Sequence, residues 1–191
     1  MKLLATTAAL FGLLAGTALA ADAYEIDPTH AWVNFKTNHA GWANAHGNFK
    51  TVSGTISFDK EDVTKSSIEL KIDAASIDTN NEKRDTHLKS PDFLNVEEFP
   101  EITFTSTAIE KTGEKTAKVT GDLTLAGTTK PVTLDVTWNN ESPLPWDATK
   151  IKTGFSATGG FNGVDFGITK LTEFGLGPDF KLDIDLEALK K

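Results

Sequence analysis

Period-two alternation of apolar and polar side chains is the feature that most constrains how this sequence can fold. It recurs in eight segments, each with one apolar and one polar face. Such alternation predicts antiparallel β-strands that bury one face and expose the other to water. The eight predicted strands are residues 31–36, 51–58, 67–73, 102–107, 118–125, 132–138, 150–157 and 180–187. With no internal repeat or low-complexity linker, they predict one all-β domain.

One long segment between the third and fourth predicted strands interrupts the alternation. Thr79 and Glu82 have the spacing of a capping box, which predicts a short helix that ends near Leu88. Ser90 and the proline after it predict a second turn. Apolar residues follow, so we interpret residues 79–97 as a helical insertion that lies across one end of the sheet.

The N-terminal residues predict export. Lys2 precedes an apolar run that ends in Ala18-Leu19-Ala20, the pattern of a secretory signal peptide cleaved after Ala20. We therefore expect a mature domain of residues 21–191 in the bacterial periplasm. No later segment approaches the roughly 20 apolar residues of a spanning helix, so we expect no stable membrane insertion.

Composition excludes several function classes. The sequence has no cysteine, which rules out disulfides, thiolate nucleophiles and a lipid anchor attached through cysteine. Its 19 basic and 27 acidic residues give a net charge of −8. This balance argues against a nucleic-acid partner, because neutralising phosphates needs a surplus of Lys and Arg.

Eight antiparallel strands can pack as a sandwich or close into a barrel. Closure removes exposed edges, and a barrel of eight strands is about wide enough to hold one small ligand. The inward faces mix large rings such as Phe104 with small residues such as Gly121. Small residues can leave a cavity or can accommodate large neighbours, so the pattern alone leaves both interiors open.

An ordered set of motifs covers nearly the whole mature chain and resembles the YceI family of bacterial periplasmic proteins. The motifs are Tyr24-x-Ile26-Asp27, His30-Ala31-x-Val33-x-Phe35, His39-x-Gly41, Gly47-x-Phe49, Gly54-x-Ile56-x-Phe58-Asp59, Ser76-Ile77-Asp78-Thr79-Asn80, Arg84-Asp85-x-His87-Leu88, Phe99-Pro100-x-Ile102-Thr103-Phe104 and Gly121-Asp122-Leu123-Thr124-Leu125. Each motif is weak alone, and their order makes the resemblance specific.

This resemblance implies a lipocalin-like, eight-stranded antiparallel barrel that holds a long isoprenoid or another extended amphiphile in its tunnel. It also implies an exported, stress-associated protein without demonstrated catalysis, and a possible homodimer. One position departs from the family pattern. Relatives often carry a basic residue just before the Asp-Phe pair near the C-terminal strands, whereas Gly163-Val164 precede Asp165-Phe166 here. If that residue neutralises a ligand head group in relatives, this chain must do so with other residues.

Two sets of residues are candidates for binding such a ligand. Burial of its chain would be driven by apolar inward side chains: Val33, Phe35, Phe49, Val52, Ile56, Phe58, Leu88, Phe93, Phe104, Phe155 and Phe166. A polar head group would need cations or hydrogen-bond donors near the insertion: His39, Arg84, Asp85, His87 and Lys89. The first set could equally be plain core, and Arg84 with Asp85 could equally form an ion pair that stabilises the fold.

We predict no metal site, no cofactor and no catalytic residue. The four histidines, at positions 30, 39, 46 and 87, lack the spacing of metal ligands, and no Gly-x-Ser-x-Gly elbow is present. The leading hypothesis is a periplasmic carrier of a polyprenyl pyrophosphate or a quinone-like amphiphile. Two alternatives remain: an enzyme that acts on such a lipid with His39 or His87 as acid–base, and a stress-related interaction protein whose barrel is structural. Trp42 and Trp146, both in loops, could touch a membrane or simply pack across a barrel mouth.

Overall fold

The computed structural model describes residues 21–191, which form ten strands and one α-helix. The predicted signal peptide, residues 1–20, lies outside the described residues. Short 3-10 turns cover Val63–Lys65, Ala74–Ser76, Gly163–Phe166 and Thr169–Phe174. The strands and the helix are β1 (Asp22–His39), β2 (Ala43–Phe49), β3 (Val52–Phe58), β4 (Ser67–Asp73), β5 (Ile77–Asp78), α1 (Glu82–Leu88), β6 (Glu101–Lys111), β7 (Thr116–Leu125), β8 (Thr128–Leu144), β9 (Asp147–Asn162) and β10 (Leu176–Lys190).

The sheet closes on itself as an antiparallel barrel. Its strand order is β10-β9-β8-β7-β6-β4-β3-β1, and β1 then pairs with β10. One edge of β1 is shared, because its first half pairs with β3 and its second half with β2. The short β5 extends the wall by pairing with β2. Because β2 and β3 pair with successive parts of the same edge of β1, they count as one strand of the ring, and the barrel is eight-stranded. This confirms the predicted fold and rules out the sandwich.

Antiparallel order sorts the connections to two ends of the barrel. What we call the upper end carries the β1–β2 turn, the segment 79–100, the β7–β8 turn and the segment 163–175. The lower end carries the β3–β4, β6–β7 and β8–β9 connections. The helical insertion therefore lies at the upper end, as predicted.

Polar contacts around Tyr24 tie the lower end together. The side chain of Tyr24 is fully buried, and its hydroxyl donates to Glu141 Oε2 at 2.5 Å. Lys60 Nζ donates to the other oxygen of this carboxylate at 2.6 Å. Burial, together with the adjacent Glu141 carboxylate, raises the pKa of Tyr24 well above its usual range. The phenol therefore stays protonated and keeps donating.

Two local expectations were wrong in detail. Helix α1 does end at Leu88, but its N-cap is Asn81, whose side chain accepts from the Arg84 amide at 3.0 Å. Thr79 lies too early to cap a helix that begins at Glu82. The predicted strand 132–138 begins too late, because β8 already begins at Thr128, after a tight turn at Ala126-Gly127. Both residues of that turn have positive φ, of 47° and 76°, which matches the right-handed twist of the flanking strands.

Within residues 21–191, no helix combines the length and apolar composition that crossing a membrane requires.

Candidate ligand-binding cavity

A cavity of about 690 Å³ occupies the upper half of the barrel, beneath α1. This volume lies in the range of small-molecule binding sites, roughly 300–1,000 Å³. Five of its lining residues are exposed at the upper end, so the cavity opens there, and we call this opening the mouth. These five are Asn44, His46, Lys83, Arg84 and Phe174. The rest of the lining is mostly apolar and includes Val33, Phe35, Phe49, Ile72, Leu88, Phe93, Phe104, Leu123, Phe161, Ile168, Leu171, Leu176, Phe180 and Leu182.

Glycines in the wall help to keep this space open. A Cβ atom on Gly47 would lie 2.3 Å from the Phe35 ring, which occupies the cross-strand position on β1. A Cβ atom on Gly121 would lie 2.4 Å from the Phe104 ring. Without those methyl groups, each ring lies against the wall. Small inward residues therefore accommodate large neighbours and preserve a cavity at the same time.

Phenylalanine rings form much of the upper wall. Phe35 lies 5.6 Å from Phe49 and 6.1 Å from Phe180, measured between ring centroids. Phe180 stacks on Phe161 at 5.2 Å with an interplanar angle of 10°. This surface has few polar atoms, so it suits the hydrocarbon part of a ligand.

A second, smaller cavity of about 90 Å³ continues toward the lower end. It reaches the β6–β7 turn and is narrowed by Phe58, which meets Phe155 at 5.2 Å and Trp138 at 5.3 Å. The residues common to both cavities form what we call the waist: Leu70, Phe104, Leu134 and Ile184. The interior is therefore one wide chamber and one narrow chamber joined at an apolar constriction.

The ionisable side chains that line the larger cavity are all basic. Lys83, Arg84 and three histidines, His39, His46 and His87, belong to its lining. Among residues 21–191, no aspartate or glutamate lines it, although the whole chain carries a net charge of −8. This asymmetry favours an anionic or electron-rich head group at the mouth.

Arg84 is held in place by Thr79. Its Nε donates to Thr79 Oγ1 at 2.7 Å, and its Nη2 donates to the Thr79 carbonyl at 2.6 Å. The same Thr79 hydroxyl donates to Asp85 Oδ1 at 2.5 Å, and the Thr79 amide donates to that oxygen at 2.9 Å. Two of the five guanidinium donors are thereby used, and three remain for a ligand.

His87 connects the mouth to the segment that follows β9. Its Nε2 lies 3.1 Å from Asp92 Oδ2, and Lys170 Nζ donates to Asp92 Oδ1 at 2.5 Å. The hydrogen bonds from Lys170 and His87 lower the pKa of Asp92. The imidazole also packs edge-on against Phe93 at 5.0 Å and Phe174 at 4.9 Å.

The predicted apolar set divides between the two chambers. Five of its members line the larger cavity alone, three line the smaller one alone, and Phe104 lies at the waist. The five are Val33, Phe35, Phe49, Leu88 and Phe93, and the three are Ile56, Phe58 and Phe155. Val52, on β3, and Phe166, in the 3-10 turn Gly163–Phe166, line neither cavity, and both are plain core with 1% and 2% of their surface exposed. Whether the nine lining residues bind a ligand stays a prediction.

The predicted polar set divides as well. His39, Arg84 and His87 line the larger cavity, whereas Asp85 and Lys89 do not. Asp85 is turned toward Thr79, as described above. Sequence reasoning missed Lys83 and His46 at the mouth. Lys83 is adjacent to Arg84 on α1, and its place in the helix could have identified it; His46 lies on β2, which has no alternating pattern.

One group of potential metal ligands lies on the outer face of the barrel, where β1 shifts register against β10. Asp27, His30 and Glu187 approach one another there. Lys152 Nζ already donates to Asp27 at 2.8 Å and to Glu187 at 2.7 Å. An ammonium group in this position supplies the positive charge that a metal ion would bring, so we interpret the cluster as a structural ion-pair network.

Comparison with known proteins matches the chain to one family along its length. The model of the YceI-like domain matches residues 24–188. A UPF0312 protein of Pseudomonas savastanoi pv. phaseolicola is 46% identical over 184 residues, which cover 94% of this chain and 92% of the relative. A YceI protein of Campylobacter jejuni of known structure is 35% identical with a TM-score of 0.71, over 78% of this chain and 86% of the other. A polyisoprenoid-binding domain from Saccharophagus degradans, 18% identical, has the same fold with a TM-score of 0.65, over 89% and 99% of the two chains.

Proposed function

The chain belongs to the YceI family, and from this premise and the geometry of its cavity we propose that it binds a long isoprenoid-type lipid. The apolar chain of the lipid lies in the larger cavity and reaches toward the waist. The protein carries or shields this lipid; binding, not catalysis, is its role. The observation that carries the proposal is an open chamber of about 690 Å³ whose lining is mostly apolar, with Lys83 and Arg84 at its mouth.

Apolar burial supports this assignment. Removing hydrocarbon from water is favourable by about 25 cal/mol per Å². A flexible chain with several isoprene units can therefore bind tightly with no polar contacts along its length. The domain from S. degradans is described as polyisoprenoid-binding, which is consistent with such a ligand here.

The charge of the mouth supports an anionic head group, of which a polyprenyl pyrophosphate is the leading candidate and a quinone-like amphiphile the alternative. Lys83 and Arg84 are adjacent on α1, and His39 and His46 border the same opening. Arg84 keeps three free donors. Lys83 and Arg84 would neutralise such a head group, since Gly163-Val164 supply no positive charge.

We further propose that the protein acts in the periplasm. The support is the pattern of the first twenty residues, which predicts export followed by cleavage after Ala20. Fractionation of cells that express the full chain tests this: the proposal requires the mature protein, starting at residue 21, in the periplasmic fraction.

The decisive experiment is native mass spectrometry of the purified mature protein, with organic extraction of any bound lipid. Leu182→Trp should narrow the cavity and weaken lipid retention, because Leu182 lines it. Lys181→Trp is the matched control, since the adjacent side chain is exposed on the outer face. Circular dichroism establishes that both variants are folded. A protein that carries no lipid from cells and takes up none from organic solution would contradict the proposal.

The head group is tested separately by charge reversal at the mouth. Lys83→Glu should weaken retention of a pyrophosphate lipid and leave a quinone-like ligand unaffected. The control is Lys130→Glu, which changes the same charge at an exposed position of β8 outside the cavity lining. Equal effects of the two variants would attribute the change to net charge and not to a head-group contact.

One observation favours an enzyme as the second candidate: His87 pairs with Asp92 beside the mouth, the arrangement of an oriented acid–base histidine. Incubating a polyprenyl pyrophosphate with the protein and with a His39→Ala, His87→Ala variant tests it. Turnover by the first and not by the second would support an enzyme, and an unchanged lipid in both would support binding alone.

A further inference from the structure

We propose that the rim of the mouth docks on a phospholipid bilayer through Trp42 and Phe174. This proposal depends on the proposed function in one respect, namely that the bound ligand is a lipid. The occupant of this surface is the bilayer itself, with its headgroups against the basic side chains of the mouth.

The first observation is the exposure of two aromatic side chains at the upper end. Trp42, in the β1–β2 turn, has 81% of its surface exposed, and Phe174, at the end of a 3-10 turn, has 46% exposed. Aromatic side chains of this kind partition into the interface between water and lipid, where an indole has both an apolar face and a donor for headgroups.

The second observation is that the two turns are joined. The Ala40 amide donates to the Gly175 carbonyl at 2.7 Å. His39 lies between them: its ring packs edge-on against Trp42 at 5.5 Å, and a Cβ atom on Gly175 would lie 3.8 Å from it. Trp42 and Phe174 are thus presented by one connected rim.

This rim borders the entrance of the cavity. Phe174 and His39 belong to the lining of the larger chamber, and Phe174 also contacts Phe93 of the insertion at 5.6 Å. Docking in this orientation places the mouth against the membrane. An apolar ligand can then pass between bilayer and barrel without crossing water.

Charge complementarity limits which bilayer fits. Lys83 and Arg84 are exposed beside the mouth and would meet anionic headgroups. Glu82, Glu97, Glu98, Asp165 and Glu173 are exposed at the same end, and the whole chain is acidic with a net charge of −8. Attraction to anionic lipid is therefore confined to the two basic side chains and weakened by salt, and docking depends mainly on the aromatic side chains and is reversible.

The barrel supplies its own control at the opposite end. Trp146, in the β8–β9 connection, has 78% of its surface exposed, almost as much as Trp42. It is remote from the mouth and from the basic residues of α1. A general tendency of exposed indoles to bind lipid would involve both residues, whereas oriented docking involves Trp42 alone.

The test uses the mature protein and vesicles of phosphatidylethanolamine and phosphatidylglycerol, with partitioning measured by flotation at low salt. Trp42→Ser should weaken partitioning roughly tenfold through loss of apolar burial at the interface. Phe174→Ser should weaken it less, because this ring is already half-buried. Trp146→Ser should leave partitioning unchanged. Brominated lipids should quench the tryptophan fluorescence of Trp146→Ser, which keeps Trp42, more than that of Trp42→Ser, because both variants share Trp32 and Trp138.

Absence of vesicle binding by the unaltered protein, or equal losses in Trp42→Ser and Trp146→Ser, would overturn the docking proposal. The bound lipid of Trp42→Ser is measured in parallel by native mass spectrometry. If Trp42→Ser retains its lipid and docks as well as the unaltered protein, only the docking proposal is refuted. A protein empty of lipid that still docks through Trp42 refutes only the proposed ligand.

Discussion

The upper and lower halves of the barrel share the same long strands but are filled in different ways. In the upper half, glycines let rings lie against the wall, and a chamber of about 690 Å³ remains. In the lower half, Phe58, Phe155 and Trp138 meet across the interior and reduce the space to about 90 Å³. The comparison shows that strand pairing and core filling are separable. Ladder hydrogen bonds hold the wall along its full length, whereas packed side chains stabilise one end and leave the other free for a ligand.

The largest expected effect is a loss of stability in the packed lower half. Phe58→Ala should lower the free energy of unfolding by about 3–5 kcal/mol, because it leaves a void among buried rings. Phe180→Ala, in the open half, should cost only about 1–2 kcal/mol, since that ring already borders empty space. Urea unfolding of the lipid-free proteins measures both. Equal losses would mean that the two halves are packed alike.

A smaller effect is expected at the waist, where the halves meet. Gly121→Ala would place a methyl group 2.4 Å from the Phe104 ring and 2.7 Å from the Thr105 carbonyl oxygen. Such overpacking typically costs about 1–3 kcal/mol. Gly154→Ala is the matched control, because its nearest contact would be at 3.9 Å. Adding Phe104→Leu to Gly121→Ala should recover part of the lost stability, and a failure to recover any would attribute the cost to the backbone alone.

The smallest effect concerns charge in the lower half. Burial disfavours the charged form of Asp27, but hydrogen bonds from Lys152 and Thr29 outweigh it and hold the pKa of this carboxyl below its usual value. A lowered pKa in the folded state stabilises the fold above the unfolded pKa of about 4, and this contribution is lost as the pH falls through the folded value. Asp27→Asn should therefore cost about 1–2 kcal/mol at pH 7.

The difference in free energy of unfolding between Asp27→Asn and the unaltered protein should narrow below about pH 4, because protonation there removes the stabilisation that the charged carboxylate provides. Chemical unfolding at pH 7, 4 and 3 follows this convergence. A constant difference at all three values would mean that Asp27 acts through packing and not through its charge.

The closed barrel could be predicted from the sequence because alternation marks every strand whose inward side chains are large. The alternation does not identify β2, where the inward residues include Ala45 and Gly47. The small size of Gly47 is set by the Phe35 ring on the neighbouring strand, a tertiary requirement that no local pattern reveals. The first part of β1 was missed for a related reason: Pro28 and Thr29 resemble a loop, whereas they form an irregularity within a continuous strand.

The candidate site could be predicted less completely. The predicted apolar set contributed six residues to the lining of the larger cavity, whereas most of its apolar lining, including Phe161, Phe180 and Leu182, was not among the predicted residues. The mouth depends on how the segments 79–100 and 163–175 fold over the barrel, and sequence spacing does not determine that. Asp85 illustrates the limit, because a carboxylate next to Arg84 could bind a ligand or, as the structure has it, fix Thr79.

The pairing of β1 with β10 has a consequence for how the chain folds. Tyr24 is in register with Lys190, so the ring closes only when segments about as far apart as the domain is long have met. Contacts of such sequence separation carry a large entropic cost and slow the search for the native state. Until closure, two strand edges stay unpaired and prone to intermolecular pairing. A chain of this design is therefore most vulnerable to self-association before β1 and β10 have paired.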